Sequence, residues 1–144
     1  MEYSLDELYN MVDKELRLDK TELTNESART PYIYSKYLKL YTTYGLKFKK
    51  TEKEYDALYK ERWEYYNGKS AEEVYKEEPF ELKVIRGDIP MYLKADKKLS
   101  VLEEKKEYYF GCVNYLERVL KMIDNRNWNI RNIIEWEKFK NGII

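Results

Sequence analysis

The sequence predicts an all-α protein, a long helical hairpin or bundle with an irregular linker and C-terminal helices. Three observations carry that prediction. Apolar residues recur at helical spacing through most of the chain, helix start and stop signals bracket those stretches, and the helix breakers Pro79, Gly87 and Pro90 gather in one place. Taken in order, Ser4-Leu5-Asp6-Glu7 reads as a capping box, and Leu5, Leu8, Val12 and Leu16 form the apolar stripe of a first helix. Asp19-Lys20-Thr21-Glu22 repeats the start signal for a second, short helix running to Thr30-Pro31. Pro31 either kinks a continuous helix or occupies a first turn.

Residues 32–66 form the most regular element. One seam position of a near-heptad takes Tyr34, Tyr41, Phe48, Tyr55 and Arg62, and the other takes Tyr37, Tyr44, Thr51, Leu58 and Tyr65. Such a helix is on the order of 50 Å long and outruns the core of one small domain, so it is expected to pair with another long helix or with a neighbouring subunit. Asn67-Gly68 stops it. Residues 69–98 then read as an irregular acidic linker. It holds a short helix begun at Ser70-Ala71-Glu72-Glu73 and a strand-like or extended Phe80-Glu81-Leu82-Lys83-Val84. This linker lies either across a neighbouring subunit or as a loop on its own protomer.

Helical spacing resumes over Val101–Ile123, with Leu102, Tyr109, Cys112, Val113, Leu116, Val119, Leu120 and Ile123 as its apolar positions. Asn125-Arg126-Asn127 interrupts it, and a last helix follows with Trp128, Ile130, Ile133, Ile134, Trp136 and Phe139. Apolar residues on nearly every face of that last helix exceed what one small protomer buries, which points to self-association. The chain is thus expected to be one structural domain in three stretches. These are N-terminal helices at 1–68, the linker at 69–98 and C-terminal helices at 99–144.

Composition excludes several chemistries. With no histidine and a single cysteine, Cys112, the chain holds no Ser-His-Asp triad, Cys-His pair or usual zinc site, and no internal disulfide. None of its five glycines stands in a phosphate-loop or dinucleotide pattern. Only carboxylate–magnesium chemistry survives, and the pairs Glu72-Glu73, Glu77-Glu78 and Glu103-Glu104 read as solvated faces. No enzyme activity and no cofactor are expected. No apolar run is long enough for a membrane span, so a soluble, cytoplasmic protein without a membrane partner is expected.

Formal net charge is zero, yet it is segregated. Residues 1–35 carry four basic and eight acidic side chains, whereas residues 36–69 carry nine and five. Within the second stretch Lys47, Lys49, Lys50, Lys53, Lys60 and Arg62 interleave with Phe48, Tyr55, Tyr59, Trp63, Tyr65 and Tyr66. Cations for phosphates and rings for bases are what a single strand of nucleic acid requires. A coiled-coil seam with solvated lysines explains the same residues, and the pattern alone leaves both readings open.

The sequence resembles the UvsY-type recombination mediators of T-even-like bacteriophages. The resemblance runs through Leu18-Asp19-Lys20-Thr21-Glu22-Leu23, Tyr34-Ser35-Lys36-Tyr37-Leu38 and Lys60-Glu61-Arg62-Trp63-Glu64-Tyr65-Tyr66-Asn67-Gly68. It continues at Ala95-Asp96-Lys97 and Asn125-Arg126-Asn127-Trp128-Asn129-Ile130-Arg131-Asn132-Ile133, and ends at Phe139. It implies a non-enzymatic helper of homologous recombination and repair, acting in the cytoplasm of an infected bacterial host. Such a protein forms a ring-like homo-oligomer of about six or seven subunits and binds single-stranded DNA. It contacts the phage RecA-like recombinase and the phage single-strand-binding protein, helping the first replace the second. The resemblance assigns oligomerisation to the C-terminal helices from Val101 to Phe139, and DNA binding to a Lys-x-Arg pair occupied by Lys60 and Arg62. Glu61 stands between them where a neutral residue is common, and Trp63 replaces an aliphatic one.

Overall fold

The computed structural model describes residues 2–142, in which six α-helices follow one another with no strand among the described residues. Helix α1, Leu5–Glu15, starts on the expected capping box. The Glu7 amide donates to Ser4 Oγ at 3.1 Å and the Ser4 amide donates to Glu7 Oε2 at 2.8 Å. It buries Leu8 and Val12.

Helix α2, Leu23–Tyr66, runs through Pro31, the continuous-helix alternative of the two that the proline left open. The start signal at Asp19 is a turn instead. Asp19 Oδ1 accepts from the Thr21 amide at 2.9 Å and the Thr21 hydroxyl at 2.6 Å, and the helix begins four residues later. An interior proline costs about 3 kcal/mol, and contacts from a distant helix hold the turn that precedes it. Arg126 donates to the Glu26 carbonyl and, at 2.9 Å, to the Thr30 hydroxyl, which itself donates to Asn127 Oδ1 at 2.8 Å. At its other end α2 closes as a Schellman motif. Gly68 has φ +73°, the Lys69 amide reaches the Glu64 carbonyl at 2.9 Å, and the Gly68 amide reaches Tyr65 at 3.2 Å.

The linker is more helical than its breakers suggest. Helix α3, Glu72–Glu77, matches the expected short helix, but α4, Ile89–Lys94, forms where irregular chain is expected. Pro90 lies in the first turn of α4, where a missing N–H costs nothing. Residues 80–84 form no strand. Helix α5, Lys97–Asp124, starts four residues before Val101 because Asp96 Oδ1 accepts from the Leu99 amide at 2.9 Å. Helix α6, Arg126–Lys140, follows the break at Asn125.

These helices pack as two compact units, residues 2–44 with 111–142, and residues 45–110. In the first, Leu8, Val12, Ile33, Tyr37, Tyr44, Leu116, Val119, Ile123 and Ile130 are buried. The Tyr44 hydroxyl donates to the Tyr3 carbonyl and accepts from its amide, which satisfies the polar tip of a buried ring. In the second, Ile89, Leu93 and Leu99 form a small core against which Tyr55, Leu58, Trp63, Tyr66 and Val84 pack. The tyrosine seam of α2 is thus largely interior, with Tyr37, Tyr44, Thr51 and Tyr65 all buried.

Gly45 and Gly111 lie inside α2 and α5, and a Cβ added at either would meet no atom within 4 Å. Neither glycine is required by packing, and each leaves its helix less stable than alanine would. G45A and G111A are each expected to raise the unfolding free energy by roughly 0.5–1 kcal/mol in urea denaturation, the range by which glycine lags alanine in a helix.

Candidate nucleic-acid interface

The end of α2 holds the residues that the sequence marks for binding, and two of them face inward. Arg62 is only 6% exposed. Its Nε donates to Asp96 Oδ2 at 2.6 Å, Nη1 to Glu78 Oε2 at 3.0 Å, and Nη2 to Glu78 Oε1 at 3.2 Å and the Tyr66 hydroxyl at 3.4 Å. Its guanidinium also lies 4.1 Å from the Tyr65 ring centroid and 5.2 Å from that of Tyr66. A fork so occupied has little left for a phosphate, so Arg62 ties α2 to Glu78 after α3 and to Asp96 before α5.

Around it an aromatic cluster fastens the linker. Tyr75 stacks on Tyr65 at 5.3 Å, and Phe80 meets Tyr65 and Tyr66 at 5.3 Å each. The Tyr65 hydroxyl donates to the Glu78 carbonyl at 3.0 Å, and the Tyr75 hydroxyl to the Tyr65 carbonyl at 2.7 Å. Trp63 is half-buried against the Ile89, Leu93 and Leu99 core, with Lys69 Nζ 5.0 Å from its ring. Its ring is committed to packing rather than presented to a base.

Electrostatics follow this geometry. Burial opposes the charge on Arg62, but its hydrogen bonds to Glu78, Tyr66 and Asp96 outweigh that and raise its pKa. Burial likewise works against the Asp96 carboxylate, yet the Tyr66 hydroxyl, the Leu99 amide and Arg62 hold it below the ordinary 3.8. Glu78 is lowered from 4.5, first by its hydrogen bonds from Arg62 and then, against burial, by Lys98. Carboxyls with depressed folded-state pKa values contribute stability that is complete above their unfolded values and lost as pH falls through the folded ones. Urea denaturation is therefore expected to show constant stability from neutrality down to about pH 5 and a decline below pH 4. D96N is expected to flatten that decline.

The lysines face outward. Lys49, Lys50, Lys53 and Lys60 are all exposed, while Lys47 is half-buried beside the seam. Lys50, Lys53 and Lys60 are three and seven residues apart, and Lys49 precedes Lys53 by four, so the four share one face of α2. The face spans about 16 Å from Lys49 to Lys60 at 1.5 Å per residue. Its ion pairs are loose, with Lys49 Nζ 3.7 Å from Glu52 and Lys60 Nζ 4.0 Å from Glu64, and pairs so exposed are easily exchanged for a phosphate.

The C-terminal apolar positions divide sharply. Cys112, Leu116, Val119, Leu120, Ile123 and Ile130 are buried within the protomer, and Tyr109, Val113 and Ile133 are half-buried. Trp128, Ile134, Trp136 and Phe139 on α6 are exposed, Phe139 by 75%. A second polar centre supports α6, where Arg126 lies 3.4 Å from Glu26, a carboxylate also paired with Arg29. The pairings of Glu26, Arg126 and Asp96 left no mark in the charge pattern, and Glu78, expected on a solvated face, instead receives the Arg62 fork. Asp96 alone left a local signal, as a capping residue before Lys97-Lys98-Leu99.

Among the described residues no group of three or more His, Cys, Asp or Glu side chains is placed to hold a metal ion, and no helix is long and apolar enough to cross a membrane. The recombination protein uvsY of Enterobacteria phage T4 is 22% identical over 138 residues, covering 96% of this chain and 98% of that protein. Two crystal structures of the bacteriophage T4 recombination mediator protein UvsY share the fold, each at 21% identity and covering 99% of that chain. One has a TM-score of 0.85 over 97% of this chain, the other 0.82 over 96%. Residues 11–143 match the family described as the recombination, repair and ssDNA binding protein UvsY, and the chain belongs to the UvsY family.

Proposed function

We propose that this protein is a recombination mediator whose α2 lysine face binds the backbone of single-stranded DNA. In this reading it works as a homo-oligomer that helps load a phage RecA-like recombinase in place of the single-strand-binding protein. The observation that carries the reading is the shared outward face of Lys49, Lys50, Lys53 and Lys60, on a chain of a family described as binding single-stranded DNA. Arg62 and Trp63 enter it as the residues that build the end of α2, and Lys47 as a cation at the seam's edge.

Multivalency reconciles binding with a neutral chain. One protomer's patch is weak, but a ring of about six or seven holds several patches at fixed spacing and gains avidity without a strongly basic subunit. The exposed Trp128, Ile134, Trp136 and Phe139 on α6 supply apolar area for that assembly, and the buried positions of α5 hold the protomer that presents them. The acidic linker, outside the lysine face, is available to the recombinase or the single-strand-binding protein. The chemistry is binding and exchange in the host cytoplasm, without catalysis. Sedimentation with and without an oligonucleotide tests the reading. A complex larger than one protomer that takes up the single strand and releases it with added salt is expected. An assembly that leaves the strand free at low salt would favour a helical scaffold that does not bind DNA.

A further inference from the structure

With Trp63 packed inward, the lysine face needs another ring if bases are held as well as phosphates. The unit formed by residues 45–110 has such a ring on α5. Phe110 is 50% exposed, and its ring lies 5.6 Å from that of Phe48, tilted by 45°. Phenylalanine has no polar tip to reward exposure, and this pair sits among cations. Lys49 Nζ is 5.9 Å from the Phe48 centroid, and Lys106, one turn before Phe110, carries its Nζ 4.5 Å over Tyr55. Lys106 occupies a half-buried position at the spacing of Leu99, Leu102 and Tyr109, so its stem is anchored and its charge placed. Carboxylates stand close as well, Glu52 at 3.7 Å from Lys49 and Glu103 near enough to act on Tyr55, the ring under Lys106. Both are on helix surfaces where a phosphate competes for the ammonium.

We propose that Phe110, backed by Phe48, is the platform on which a base of single-stranded DNA stacks, with Lys49 and Lys106 holding phosphates on either side. The occupant is identified by complementarity, since an apolar ring bordered by ammonium groups fits the flat face and anionic backbone of one nucleotide. Every base has such a face, so the platform is tolerant of sequence. The proposal rests on the reading of α2 as a DNA-binding face and extends it to α5.

The test uses the full chain with two probes, an oligo-dT and an equally long strand of abasic residues. Wild type is expected to bind oligo-dT more tightly. F110A and F110L are expected to lose that preference, on the order of tenfold in affinity for oligo-dT, with abasic binding unchanged, whereas F110Y retains it. Four results would overturn the platform. One is F110L matching wild type on oligo-dT, and another is an equal loss of both strands by the Phe110 variants. The third is a lower sedimenting mass for F110L, which would place the ring against a second copy. Equal wild-type affinity for the two strands also removes the platform. The lysine reading then survives if lysine variants lose both strands, and falls too if neither strand binds in a salt-dependent way.

Discussion

R62A is expected to lower the unfolding free energy by about 3–5 kcal/mol, the cost of removing one partner from a buried ion pair. The size follows from what remains. Asp96, whose side chain is 2% exposed, would keep the Tyr66 hydroxyl and the Leu99 amide but lose the cation that faces it, and Tyr65 and Tyr66 would lose the guanidinium beside them. Glu78 contributes less, because its side chain is 43% exposed and also meets Lys98 at 3.3 Å. The fastening of α3 to α2 should loosen with it, so limited proteolysis is expected to cut first within residues 69–85. R62K keeps a charge but not a fork, and is expected to fall between wild type and R62A. Denaturant titration followed by circular dichroism measures all three.

The second large effect falls on binding. Replacing Lys49, Lys50, Lys53 and Lys60 together with glutamine is expected to weaken single-strand affinity at low salt by on the order of a hundredfold or more. The slope of log affinity against log salt should shrink by roughly 0.7 for each phosphate no longer neutralised. Stability should change little, about 0.5 kcal/mol per site at most, since all four side chains are exposed. Anisotropy titrations at three or more salt concentrations measure affinity and slope together.

Much of this fold is legible because its determinants are local. The Ser4–Glu7 box, the Asn67-Gly68 stop and the tyrosine seam of α2 are written within a few residues of where they act. The exceptions are tertiary. Pro31 leaves a continuous helix and a fresh start both open by local rules, and contacts from Arg126 and Asn127, nearly a hundred residues away, carry α2 through it. Pro90 breaks a helix in most positions and begins one here.

The site shows the same divide. The outward lysines are predictable from their spacing. Arg62 falls in the seam series Tyr34, Tyr41, Phe48, Tyr55, and that register points it inward, against the pairing with Lys60 that the family resemblance implies. Register is the stronger guide, because seam position decides burial before charge decides partners. Its carboxylates, Glu78 and Asp96, lie 16 and 34 residues further on, a distance at which charge alone names no partner.

The central claim, that DNA is held by the outer lysines while Arg62 works inside the protein, reduces to one measurement. It is the salt dependence of single-strand binding by the double variant K53Q/K60Q compared with R62K. The double variant is expected to lose about 1.4 from the slope, at roughly 0.7 per phosphate, with R62K keeping the wild-type slope even if its stability drops. A reduced slope in R62K beside an unchanged one in K53Q/K60Q would put the phosphate on Arg62 and contradict the account.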